Sequence, residues 1–161
     1  MTSFNNYSAS PNLSRRLYLS VLSFLGLSSW LSAFPALAKK PDAMEAIAKI
    51  VGSNTVRDGR VNLVIPPLVE SGNLVVLKVG VESPMTADNF VKAVHIISEE
   101  NPLPNIFIAY FTPRSGRAEV TTRVRLADSQ RVWAIAQMSD GSFWRGYADT
   151  LVTLSACTEM I

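Results

Sequence analysis

One cysteine and one histidine are all that this 161-residue chain has of those two residue types. A structural zinc site needs four ligands, drawn mostly from those two types, so an ordinary Cys/His zinc centre is excluded. A lone cysteine also excludes an internal disulfide. Acidic side chains are missing from residues 1–38, where Arg15 and Arg16 are the only charges. Those two account for the net charge of +2 and leave 13 basic against 13 acidic groups in the remainder. A nucleic-acid-binding domain carries a basic excess, and this one does not. Catalytic signatures are missing too: there is no Gly-x-Ser-x-Gly elbow, phosphate-cradling glycine loop or His-Glu-x-x-His helix. A Cys157–His95 pair is conceivable, but no spacing favours it. What the chain does have is apolar residues, 48% against 17% charged, enough for one packed domain.

Those apolar residues are organised in two ways. Arg15-Arg16 precedes an uncharged run from Leu17 to Leu37, followed by Ala36-Leu37-Ala38 and Lys39-Lys40. A basic start, an apolar stretch and a small-x-small site are the three parts of a secretory signal peptide. A transmembrane anchor needs about 20 apolar residues. Here five serines dilute the run and Pro35 interrupts it. The expectation is a leader over residues 1–38, cut between Ala38 and Lys39. Ser14-Arg15-Arg16-Leu17-Tyr18-Leu19-Ser20 resembles the twin-arginine export signal, with Tyr in place of Phe and Ser in place of Lys. That resemblance implies export of a folded protein to an oxidising compartment, where an unpaired Cys is buried, cross-linked between chains or chemically used.

From Pro41 to Val51, Met44, Ile47, Ala48 and Val51 recur at helical spacing, with Gly52 just beyond, which predicts one short amphipathic helix. After Gly52 the period changes. Val61–Ile65, Leu74–Val81, Phe90–Ser98, Ile106–Phe111, Glu119–Leu126, Arg131–Met138 and Leu151–Leu154 read as short strands between turn signals. The predicted fold is all-β, a two-sheet antiparallel sandwich preceded by the helix. In Glu119–Leu126, Val120, Val124 and Leu126 alternate with Glu119, Thr121, Arg123 and Arg125, so the arginines are expected on a solvated face. Trp133, Phe143 and Trp144 are expected in core and rim packing. His95 is expected as a hydrogen-bonded structural histidine, and Glu99-Glu100 as solvent-facing.

Three stretches carry a family likeness: Ser83-Pro84-Met85-Thr86-Ala87-Asp88-Asn89-Phe90-Val91-Lys92 with Asn101-Pro102-Leu103-Pro104, the run from Phe111 to Leu126, and Met138-Ser139-Asp140-Gly141-Ser142-Phe143-Trp144. In this order they resemble the SoxY family, the sulfur-carrier subunit of the periplasmic thiosulfate-oxidising Sox system. The resemblance implies an immunoglobulin-like sandwich over residues 39–154 and a cysteine-bearing tail over residues 155–161. It implies pairing with a SoxZ-like small β protein and transient visits to other Sox enzymes. It further implies a non-enzymatic role without cofactor, in which Cys157 holds the sulfur intermediate covalently and no metal or nucleic acid is bound.

The tail is where the chain departs from that family. Gly-Gly-Cys-Gly is the usual ending, whereas this one reads Ser155-Ala156-Cys157-Thr158-Glu159-Met160-Ile161. Glycines make a slender, mobile arm, and Ser and Ala are stiffer. Glu159 and the terminal carboxylate disfavour a thiolate and repel an anionic cargo. Met160 and Ile161 prefer an apolar surface to water. The leading expectation is a covalent carrier. The alternative is a non-carrying paralogue that keeps the sandwich as an interaction module.

Overall fold

Asp42 opens the described part of the chain, residues 42–155 of a computed structural model. Its carboxylate accepts a hydrogen bond from the Met44 N–H at 2.9 Å and so caps the first turn of α1 (Ala43–Val51). An i,i+4 pair, Glu45 with Lys49 at 2.9 Å, supports the exposed side. At Gly52 the backbone turns to φ +63°, a conformation that disfavours a side chain, and the helix stops there.

Nine strands follow: β1 (Val56–Asp58), β2 (Val61–Val64), β3 (Leu68–Ser71), β4 (Val75–Val81), β5 (Val91–Ser98), β6 (Asn105–Tyr110), β7 (Ala118–Val124), β8 (Gln130–Met138) and β9 (Phe143–Leu154). They form an immunoglobulin-like β-sandwich. The larger sheet runs β1-β9-β8-β5-β6, with β3 joined to β9, and the smaller runs β2-β4-β7. All seven expected strands are present, two of them with markedly shifted bounds: β7 stops at Val124, and β9 starts at Phe143 rather than Leu151. Two strands are additions, β1 and β3, and both pair with β9 in parallel. They are short stops on one crossing. The chain leaves the large sheet after β1, turns at Gly59, joins the small sheet as β2 and returns through Pro66-Pro67 as β3. Segments of three or four residues offer too little alternation to reveal a period.

Burial follows the pleat. β4 alternates buried Val75, Leu77, Val79 and Val81 with outward Val76 and Lys78. Leu63, Val94, Ile96, Val132, Ala134 and Val124 meet those valines between the sheets. A second cluster lies on the outer face of the large sheet, where α1 covers Ile97, Trp133, Ile135 and Phe143 with Ala43 and Val51. Trp133 and Phe143 are therefore packed under the helix, and Trp144 packs against the main core.

Candidate functional site: the root of the C-terminal arm

Strand β9 carries the chain to its C-terminal tail, and its last residues are held by bonds from several directions. Thr150 Oγ1 donates to the Pro66 carbonyl at 2.7 Å, and Leu151 N–H donates to the Pro67 carbonyl at 2.9 Å. Val152 N–H donates to Ser129 Oγ at 2.9 Å. Thr153 Oγ1 donates to the Glu70 carbonyl at 2.8 Å, and Gly72 N–H donates to the Leu154 carbonyl at 2.8 Å. Among the described residues these bonds hold the strand up to Leu154. Strand β3, which sequence periodicity misses, supplies much of that anchorage.

Beneath the root, two buried amides tie the loop after β5 to the loop before β8. Asn101 Oδ1 accepts from Ala127 N–H at 2.9 Å and from Gln130 Nε2 at 3.2 Å, and its Nδ2 donates to the Arg125 carbonyl at 2.8 Å. Gln130 Oε1 accepts from Glu100 N–H at 2.9 Å. Satisfied amides of this kind fix loop geometry, because leaving any one bond unmade underground costs about 1–3 kcal/mol. Asn101 reads in the sequence as a turn residue, and only its burial reveals the second role.

One ion pair stands near the root. Arg131 and Asp149 make a bidentate ion pair at 2.7 and 3.0 Å. The guanidinium hydrogen bond holds the Asp149 carboxyl below the usual carboxylate range, and the same bond raises Arg131. Arg131 also lies 4.2 Å from the Tyr147 ring centroid. At the opposite end of β9, Arg145 pairs with Asp58 at 2.6 Å, while Arg57 and Arg60 stack over Trp144 at 5.7 and 4.5 Å. Cation–aromatic stacking of this sort has no periodic signature in the sequence.

Cys157, Arg15, Arg16, Ala38 and Lys39 all lie outside the described residues. Leu154 stands three residues before Cys157 in the sequence, a separation of at most about 10 Å. Arg123 and Arg125 are exposed, as the alternation predicts. Two expectations need correction. Glu100 is exposed as expected, but Glu99 is half-buried: its carboxylate accepts from Trp133 Nε1 at 2.8 Å, an anchor 34 residues away in sequence and invisible to local pattern. His95 is not hydrogen-bonded through Nδ1, which is buried without a partner. Its cross-strand neighbours are Ile108 and Ile135, neither of which offers a polar side chain. Among the described residues no cluster of three or more His, Cys, Asp or Glu side chains is placed to hold a metal.

Burial lowers the His95 pKa below its ordinary 6.5. Protons therefore bind the unfolded chain first as pH falls. Stability is unaffected above about pH 6.5, declines as pH falls toward the lowered folded-state value and is level again below it. Thermal melts at pH 8 and pH 5 should show a larger loss for the wild type than for His95→Leu. Equal losses would mean that the imidazole titrates normally in the folded protein.

A family model described as sulfur oxidation protein SoxY matches residues 47–157, so the match runs from α1 through to the cysteine. No curated protein matches the sequence. Among solved structures, the sulfur carrier protein SoxY from Chlorobium limicola f thiosulfatophilum superposes with a TM-score of 0.58 at 23% identity, over 69% of this chain and 96% of that one. A superoxide reductase (neelaredoxin) from Ignicoccus hospitalis superposes with a TM-score of 0.51 at 18% identity, over 58% of this chain and 80% of that one. At these identities the structural likenesses establish a shared fold alone.

Proposed function

The chain belongs to the SoxY family of sulfur oxidation proteins, and from that premise we propose that it is a periplasmic carrier holding thiosulfate-derived sulfur on Cys157. The observation that carries this reading is the place of the lone thiol. It is the last residue of the family match and stands three residues beyond the hydrogen-bonded end of β9. Delivery to a separate enzyme requires a thiol close beyond a fixed root, and the sequence position of Cys157 meets that requirement.

Loading joins Cys157 Sγ to the outer sulfur of thiosulfate. The new S–S bond releases the thiol proton and two electrons, which pass to a partner redox enzyme. Hydrolysis by a second enzyme consumes one water, releases sulfate and leaves a persulfide on the arm. The carrier itself supplies the attachment atom and the reach. No resident cofactor is needed, since the sulfur is cargo. A SoxZ-like small β protein is the expected companion, covering sheet edges that a small sandwich leaves open.

Intact-mass measurement of protein taken from cells oxidising thiosulfate tests the reading. Sulfur adducts on Cys157 support it, and an unmodified thiol under active turnover argues against it. A specific observation favours the other reading, a non-carrying interaction module: the residues around Cys157 are not the family's glycines.

Export is part of the same proposal. The processed protein should begin Lys39-Lys40-Pro41-Asp42 on N-terminal sequencing, and Arg15→Lys with Arg16→Lys should leave it unprocessed in the cytoplasm. Undiminished export of that double variant would mean that the twin-arginine pathway is not the route.

A further inference from the structure

The open sides of the two sheets meet at β6 and β7, each paired along one edge only, β6 with β5 and β7 with β4. Strand β6 reads Asn-Ile-Phe-Ile-Ala-Tyr, without a charged residue or a proline, two of the devices that usually block an open edge. Between its first half and the end of β7 runs a groove of about 480 Å³. Leu103, Ile106, Phe107 and Val124 form its apolar part, and the exposed Arg123 and Arg125 flank it. Leu103 is 74% exposed, although burial of a leucine is favourable.

No carboxylate among the described residues lies within ion-pair distance of either guanidinium. Two uncompensated positive charges beside an apolar surface call for carboxylates that flank apolar side chains. Spacing narrows the ligand further. Alternate residues of an extended chain stand about 7 Å apart, and Arg123 and Arg125 are two residues apart. An extended segment with acidic residues at alternate positions matches that spacing, and its backbone also satisfies the open edge of β6. A free amphiphilic anion matches the arginines but leaves the edge unpaired. The groove borders the root of the arm. Leu126 N–H, next to Arg125, donates to the Gly72 carbonyl at 2.9 Å, and Gly72 N–H donates to the Leu154 carbonyl at 2.8 Å.

We propose that the β6–β7 groove docks an extended acidic segment of a partner protein. The segment pairs with β6, sets apolar side chains against Leu103 and Phe107 and places carboxylates on Arg123 and Arg125. A partner held there stands beside the strand that leads to Cys157. That use rests on the carrier reading, whereas the docking itself does not. Salt screens the arginine contacts and leaves the apolar ones, so affinity should fall as ionic strength rises.

Calorimetric titration of the processed chain with a short capped peptide that alternates Glu with Leu tests this. Arg123→Gln with Arg125→Gln should weaken binding about tenfold, and Leu103→Ser about fivefold. All three side chains are exposed, so both variants keep the fold. A peptide with Lys in place of Glu should not bind, nor should one methylated at its backbone nitrogens. No binding of the Glu peptide at about 1 mM would overturn the proposal. Equal binding of the Lys peptide, or unchanged affinity in either variant, would overturn it too. Binding of the methylated peptide would do the same, by making a free amphiphile the occupant. So would a wild-type dimer in sedimentation that the Gln variant dissolves, by making a second copy the occupant. Tighter peptide binding by a chain shortened after Thr158 would overturn it by making this chain's own end the occupant. The titration needs no sulfur cargo, so failure of the carrier reading would appear in the mass experiment and not in this one.

Discussion

Cys157→Ser is expected to abolish every sulfur adduct while leaving folding and partner pairing unchanged. The thiolate is the attacking form of cysteine, and with an ordinary pKa of about 8.5 a small but useful fraction exists near neutral pH. A serine hydroxyl cannot replace it, because no O–S bond of comparable stability forms under these conditions. Among the described residues, the core clusters and the bonds that hold β9 are formed by residues up to Leu154. The chain has no second thiol, so residual adduct in the Ser variant would place the chemistry elsewhere and remove the basis of the carrier reading. The reciprocal variant separates carrier from paralogue. Replacing Ser155, Ala156 and Thr158 with glycine and deleting Glu159 to Ile161 restores the family ending. Loading of the native tail, with a faster rate in the restored one, is the expected outcome. A native tail that never loads beside a restored tail that loads readily would establish the non-carrying module.

Alternation and turn chemistry were enough to reveal the helix, seven strands and the sandwich, because those segments bury one face and leave the other wet. Val75 to Val81 shows the period plainly. What stayed hidden was decided by contacts distant in sequence. β1 and β3 exist only because β9 offers them an edge, and neither is long enough to show a period of its own. The Glu99–Trp133 bond and the Asn101–Gln130 pair likewise depend on which loops meet. The candidate thiol was legible for the opposite reason. A single Cys just after the last strand is conspicuous without any tertiary information. How its anchorage works was not legible, since the bonds that fix Leu151 to Leu154 come from β3, from the flanking Pro66-Pro67 and Gly72, and from Ser129.

Gly146 marks the place where that hidden crossing presses hardest on β9. A Cβ built there would overlap the Val61 carbonyl oxygen and lie 3.2 Å from both the carbonyl carbon and the Cβ of Val61. The obstacle is backbone, at the start of β2, so no rotamer change relieves it. Either β2 moves away from β9 or β9 bends out of its pairing with β8, in which Gly146 stands opposite Ala134. Overpacking of a well-packed interior typically costs about 1–3 kcal/mol and occasionally more. A backbone obstacle belongs at the upper end, so Gly146→Ala should cost about 3 kcal/mol and lower the melting temperature by roughly 10–15 °C for a domain of this size. Gly80→Ala provides the contrast. There the nearest atom is Glu119 Cγ at 3.3 Å, part of a flexible exposed side chain that can swing aside. Its effect should stay within about 0.5 kcal/mol. Urea titration of both variants against wild type measures the two costs directly. A Gly146→Ala midpoint matching wild type would mean that β2 does not cross β9 where the sandwich requires it. The same change should loosen the root of the arm, because the strand that Val61 braces at Gly146 is the one that ends at Leu154, three residues from the thiol.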